Sequence, residues 1–113
     1  FPGPGIWLRG GGRALMRQVL AHQGDDALFH TDFQACNAYQ GGLEAAARVR
    51  CPATLILAAQ DQMTQPRGAR EVTAALRAQV HTVPGGHQLM AEQPEHVLAA
   101  VRHALSARAP AAA

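Results

Sequence analysis

Pro52-Ala53-Thr54-Leu55-Ile56-Leu57-Ala58-Ala59-Gln60-Asp61-Gln62 is the stretch from which the fold is read. Ala53 to Ala59 is a short apolar run, bounded by Pro52 on one side and by Gln60, Asp61 and Gln62 on the other. That pattern predicts a strand buried on both faces, as in the centre of a parallel sheet. Downstream, Arg67 to Ala78 carries Ala69, Val72, Ala75 and Leu76 at helical spacing. Gln79 to Pro84 then reads as a brief strand rich in β-branched residues, closed by Gly85 and Gly86. Pro94 at a first helical position, Glu95 beside it, and Val97, Leu98, Val101 and Leu105 on one stripe define a final helix. Strand, helix, strand, helix is a βαβα order, so the two strands are expected to be parallel. Two such strands do not make a domain, because parallel sheets need helical cover on both faces and more neighbours.

Upstream of Pro52 the texture changes. All five aromatic residues, Phe1, Trp7, Phe29, Phe33 and Tyr39, fall within the first 39 positions. Phe1 to Gly12 is punctuated by Pro and Gly too often for a helix or strand interior. A helix is expected after it, with Leu15, Met16, Val19 and Leu20 on one side and Gly24 as its C-terminal cap. Asp32 is placed to N-cap a short second helix carrying Phe33, Cys36 and Tyr39, which Gly41 and Gly42 break. Leu43, Ala46, Ala47 and Val49 suggest one or two further turns. The expected division is 1–51 as a helical segment, 52–106 as the βαβα part and 107–113 as a disordered tail.

Composition narrows the function. The chain has 113 residues, 48% hydrophobic and 16% charged, which fits a globular piece and excludes a disordered tail. Its formal charge of +2 comes from ten Arg and no Lys, scattered along the chain, and only Arg13 and Arg17 share a helix face. This is no nucleic-acid footprint. No apolar run approaches a membrane span and no signal sequence opens the chain, so no membrane partner is expected. Cys36 and Cys51 form neither a C-x-x-C pair nor a disulfide framework, and a reducing cytoplasm is the expected setting. His96 and His103, seven apart, read as a solvated face, and no metal site is expected. Gly10-Gly11-Gly12 follows no strand and precedes no G-K-[ST], so it is not read as a phosphate loop.

In open parallel sheets, reacting groups gather just beyond the carboxyl ends of the strands. Asp61 follows the first strand there and His87 follows the second. An Asp that accepts a hydrogen bond from His Nδ1 fixes the tautomer and leaves Nε2 free to act as a base.

The run from Pro52 to Pro66, with Val83-Pro84-Gly85-Gly86-His87 and then Glu92-Gln93-Pro94, strongly resembles the C-terminal end of α/β-hydrolase-fold enzymes. In that family the acid and then the histidine close the chain order Ser, Asp, His. The resemblance covers 52–105 and implies an α/β fold: the last two strands of a mostly parallel hydrolase sheet with flanking helices, preceded by a helical cap segment. Asp32 to Tyr39 looks like part of that cap. It implies Asp61 as the triad acid and His87 as the base, an ester or related bond in a small-molecule substrate, and no cofactor. Trp7, Phe33 and Tyr39, with Met63 and Met90 near the triad ends, are candidates to line an apolar acyl pocket. Ordinary packing within a cap accounts for the same residues. Glu92 is expected to be a structural acceptor near the His loop, and Pro94 a helix start.

The sequence departs from the family in two places. Ala58 stands where the family often has Gly, three residues before the acid. More consequentially, the elbow G-x-S-x-G is absent: the only Ser is Ser106, in the last helical turn, and neither Cys36 nor Cys51 follows a strand. The chain also begins at Phe1 rather than Met, so the expectation is a C-terminal piece of an esterase-like hydrolase whose nucleophile lies upstream. An Asp at that elbow would instead imply dehalogenase or epoxide-hydrolase chemistry. The alternative from another class is a catalytically inactive remnant or interaction piece.

Overall fold

A computed structural model describes residues 6–23 and 27–107. Three helices come first, α1 (Ile6–Gln23), α2 (Ala27–Ala38) and α3 (Gly42–Ala47). They are followed by β1 (Thr54–Ala58), a 3-10 turn (Pro66–Ala69), α4 (Arg70–Leu76), β2 (Gln79–Val83), α5 (Leu89–Glu92) and α6 (Pro94–Ser106). The chain is mixed α/β with a two-stranded parallel sheet. Two compact units divide it, one within Gly5–Gly42 and the other within Leu43–Ala113.

The first unit corrects two expectations. α1 begins at Ile6 and runs through Gly10, Gly11 and Gly12, although three glycines each cost a helix about 1 kcal/mol relative to Ala. The strong helix formers from Arg13 to Gln18 supply the nucleus, and cooperative propagation carries the helix back through the glycines. Asp32 is inside α2, not at its start, because that helix already begins at Ala27. Gly24 and most of the expected tail, 108–113, lie outside the described residues.

In the second unit β1 and β2 pair in the parallel register Thr54↔Gln79 to Ala58↔Val83. Alternation along β1 turns Ile56 and Ala58 to the face that also carries Val83, and turns Leu55 and Leu57 away from it. Ala58, Val83 and Leu89 form the buried core, with Ile56 and Val97 packed against them. The expectation that β1 is buried on both faces is corrected: only Ala58 is buried, and Thr54 to Leu57 are half-buried. Among the described residues no other strand pairs with β1, so its second edge lacks the neighbour that would bury it.

The helix expected over Arg67–Ala78 is shorter than its periodicity suggested, because Pro66 opens a 3-10 turn before α4 begins at Arg70. α4 stops at Arg77, which adopts the left-handed conformation with φ 50°. α6 starts with Pro94 in its first turn, as expected, and packs against both strands. Val97 packs against the core and Ala100 and Ala104 are buried, whereas Leu98, Val101 and Leu105 are exposed. Of these larger apolar residues of α6, Val101 borders a cavity beside Ile56 and Ala58. α5 has no counterpart in the sequence reading, since four residues are too few to show a period. Among the described residues, no helix is long and apolar enough to cross a membrane.

Arg77 holds a conformation that costs an L-residue roughly 1 kcal/mol and a glycine nothing. Arg77→Gly is therefore expected to raise the urea midpoint of the second unit, with Arg77→Ala leaving it nearly unchanged. A lowered midpoint for Arg77→Gly would show that the Arg side chain, not the backbone, is what matters there.

Candidate active site

The parallel ladder does not stop where the strands stop. Ala59 N–H donates to Val83 O at 2.9 Å and Gln60 N–H to Gly85 O at 2.9 Å. Gly85 N–H in turn donates to the Gln60 side-chain oxygen. This reciprocal bond holds the loop after β1 to the loop after β2, one residue before Asp61 and two before His87.

Asp61 is buried, its side chain only 9% exposed. Its Oδ1 accepts the Met63 N–H at 2.8 Å and the Thr64 N–H at 2.9 Å, closing a tight Asx-type turn. Its Oδ2 accepts the Thr64 hydroxyl at 2.7 Å and lies 3.0 Å from His87 Nδ1. Burial pushes the carboxyl up, but the hydroxyl and N–H of Thr64, the His87 ring and the Met63 N–H outweigh it and hold Asp61 well below the usual carboxylate range. An ionised carboxylate only accepts, so the proton between the two groups sits on His87 Nδ1. The His87 side chain is 44% exposed, and among the described residues its Nε2 makes no hydrogen bond.

A second carboxylate fastens the histidine loop from below. Glu92, at the end of α5, accepts the Gly86 N–H at 2.7 Å and the Gln88 N–H at 3.1 Å, and so grips the residues on either side of His87. That is the structural acceptor role expected of it. The clamp requires glycine at 85 and 86. A Cβ on Gly85 would lie 2.8 Å from Leu89 Cδ1, at a φ of 154° that side chains rarely adopt. A Cβ on Gly86 would stand 3.0 Å from Glu92 Oε1, so the carboxylate would have to give way by a few tenths of an ångström.

Two cavities flank the pair. One, of about 370 Å³, is lined by Ile56, Ala58, Leu89, Met90, Val97 and Val101, with Asp61, Thr64 and His87 at its polar side. The other, of about 550 Å³, runs along β1 and the segment from Asp61 to Ala69 and includes Met63. Met63 and Met90 thus stand at the same end of the sheet as Asp61 and His87. Phe33 and Tyr39 belong to the Gly5–Gly42 unit and are exposed. Trp7 lies in α1, and its side chain is outside the described residues. Thr64, Gln60 and Gln88 were not singled out from the sequence. An Asp followed at i+3 by a Thr was the available signal for Thr64, since that spacing lets the turn carboxylate collect both an N–H and a hydroxyl.

Among the described residues, no Ser or Cys side chain lies at this end of the sheet. Ser106 is exposed at the last residue of α6, Cys36 is exposed on α2, and Cys51 is exposed before β1; none lines either cavity. Comparison with protein-family models, curated proteins and solved structures found no match.

Two outcomes are expected. Gly85→Ala should destabilise the second unit by about 2 kcal/mol or more in urea unfolding, since overlap and strain add; a change below about 0.5 kcal/mol would contradict the clamp. Asp61→Ala, which strands two N–H donors, should cost roughly 2–4 kcal/mol at neutral pH. Because the folded-state value of Asp61 lies below the ordinary 3.8, this stabilisation is complete above that value and is lost as the pH falls towards the folded one. The gap between wild type and Asp61→Ala should therefore close on acidification, and a gap that widens would reverse the assignment.

Proposed function

We propose that Asp61 and His87 are the acid and the general base of a Ser–Asp–His triad in an esterase-like hydrolase of the α/β-hydrolase fold, and that these 113 residues are its C-terminal part. The observation that carries this reading is the hydrogen bond of His87 Nδ1 to the buried Asp61 carboxylate, at the carboxyl ends of two adjacent parallel strands, with Nε2 unengaged. A serine contributed from outside these residues would attack the substrate carbonyl carbon. Its hydroxyl proton passes to His87 Nε2 as the new C–O bond forms, and the same proton goes to the leaving oxygen as the old bond breaks. Water then repeats the transfer to release the acid. Asp61 keeps its charge throughout and stabilises the imidazolium.

The apolar side of the smaller cavity, with Met90 at its rim, suits the hydrocarbon part of a small ester. The free, exposed Cys36 and Cys51 support a reducing compartment, the cytoplasm. The reading that the 113-residue chain has no activity by itself is favoured by one observation, the position of Ser106, its only serine, away from His87 at the far end of α6.

The chain alone should not turn over a simple aryl ester; turnover abolished by His87→Ala would show a nucleophile within it. In the polypeptide that also carries the upstream residues, a serine-directed fluorophosphonate should label one serine. His87→Ala is expected to remove that labelling, and Asp61→Asn to slow it by on the order of 10³–10⁴-fold through the wrong tautomer. Labelling that is indifferent to His87 would end the triad reading.

A further inference from the structure

We propose that Thr64 is a positioning residue for the Asp61–His87 pair: its hydroxyl sets which imidazole nitrogen carries the proton. The proposal rests on the triad reading above and extends it to a residue that touches no reacting atom.

The acceptor inventory of Asp61 argues for it. A carboxylate offers about four lone-pair sites, and four donors converge here. Oδ1 is filled by the two backbone N–H groups of Met63 and Thr64. The remaining two donors, the Thr64 hydroxyl at 2.7 Å and the His87 ring at 3.0 Å, share Oδ2. His87 Nδ1 is 3.2 Å from Oδ1 as well, so the imidazole is close to both oxygens and geometry alone barely separates them. Occupancy separates them: Oδ1 is saturated by groups fixed in the backbone, and Oδ2 is left for the ring.

The hydroxyl does more than occupy a site. Thr64 Oγ1 lies 3.4 Å from His87 Nδ1. With its own proton committed to Oδ2, the hydroxyl turns a lone pair towards Nδ1. A lone pair there attracts an Nδ1–H and repels a bare Nδ1. To accommodate the other tautomer the hydroxyl must swing round and donate to Nδ1, which strips the buried carboxylate of two donors at once. Thr64 therefore penalises the tautomer in which Nε2 is protonated and useless as a base. Closing the turn needs only the Thr64 backbone N–H, which any residue but proline supplies, whereas the tautomer depends on the hydroxyl.

The test is nitrogen NMR of the 113-residue chain labelled with ¹⁵N-histidine, comparing wild type with Thr64→Val, Thr64→Ala and Thr64→Ser at a pH where His87 is neutral. Wild-type His87 should show a dominant Nδ1–H tautomer. Thr64→Val keeps the shape and the backbone N–H, and is expected to lower the ratio of Nδ1–H to Nε2–H by roughly threefold to tenfold, the effect of one hydrogen bond. Thr64→Ala should match it if the isosteric variant folds poorly, and Thr64→Ser should restore the wild-type ratio. If Thr64→Val and Thr64→Ala leave the ratio unchanged while Asp61→Asn shifts it, the Thr64 role is overturned and the triad reading stands. If wild-type His87 shows the tautomer mixture of a free imidazole, indifferent to Asp61→Asn, the triad reading itself is overturned.

Discussion

The site depends on the continuation of the parallel ladder past the ends of β1 and β2. Within the strands the register Ala58↔Val83 is the pairing any two parallel strands make. Beyond them, Gln60 and Gly85 exchange a backbone bond and a side-chain bond, so two loops that would otherwise diverge are tied together. Asp61 is the next residue on one loop, and His87 lies two residues on along the other. Because side chains alternate along a strand, a slip of one residue in this register would turn Ile56, Ala58 and Val83 off their shared face and separate the carboxylate from the imidazole in the same step. Core and site are specified by one set of hydrogen bonds.

The energetic arrangement follows from keeping a carboxylate ionised where little water reaches it. Burial penalises the charge, and only donors already held in place can offset that without a further entropic cost. Two of the four donors to Asp61 are backbone N–H groups of its own turn, fixed once the turn forms. Glu92 does the same work in the opposite direction, accepting from the backbone of the histidine loop instead of from its side chain. Asp61 thus holds the ring and Glu92 holds the chain that carries it. The glycines at 85 and 86 are what let the Glu92 carboxylate approach the loop so closely.

The strand boundaries, the parallel pairing, the α6 start at Pro94 and the meeting of Asp61 with His87 were legible because each rests on a local signal: an apolar run with polar ends, a Pro at a first turn, a titratable residue just past a strand. What was not legible depends on neighbours or on cooperativity. The glycines at 10–12 read as breakers, yet they are carried into α1 by the residues after them. Asp32 has the chemistry of a cap, but α2 starts upstream of it. β1 has the composition of a central strand and only the burial of an edge strand, because composition records what a strand is suited to, whereas burial records what actually surrounds it. Thr64 escaped notice because a Thr in a polar loop is unremarkable until the carboxylate it serves is placed in space.

The mismatch at β1 bears directly on the functional reading. The edge of β1 along which no strand pairs among the described residues, and the segment from Asp61 to Ala69, border the same cavity of about 550 Å³. A further parallel strand laid along that edge would bury the half-exposed Leu55, Ile56 and Leu57 and would bring its own carboxyl end beside Asp61, since parallel strands finish on the same side of a sheet. A residue just past that strand would then share the rim with the unengaged Nε2 of His87. Under the proposed triad reading, one such strand would account both for the apolar composition of β1 and for the orientation of the His87 ring.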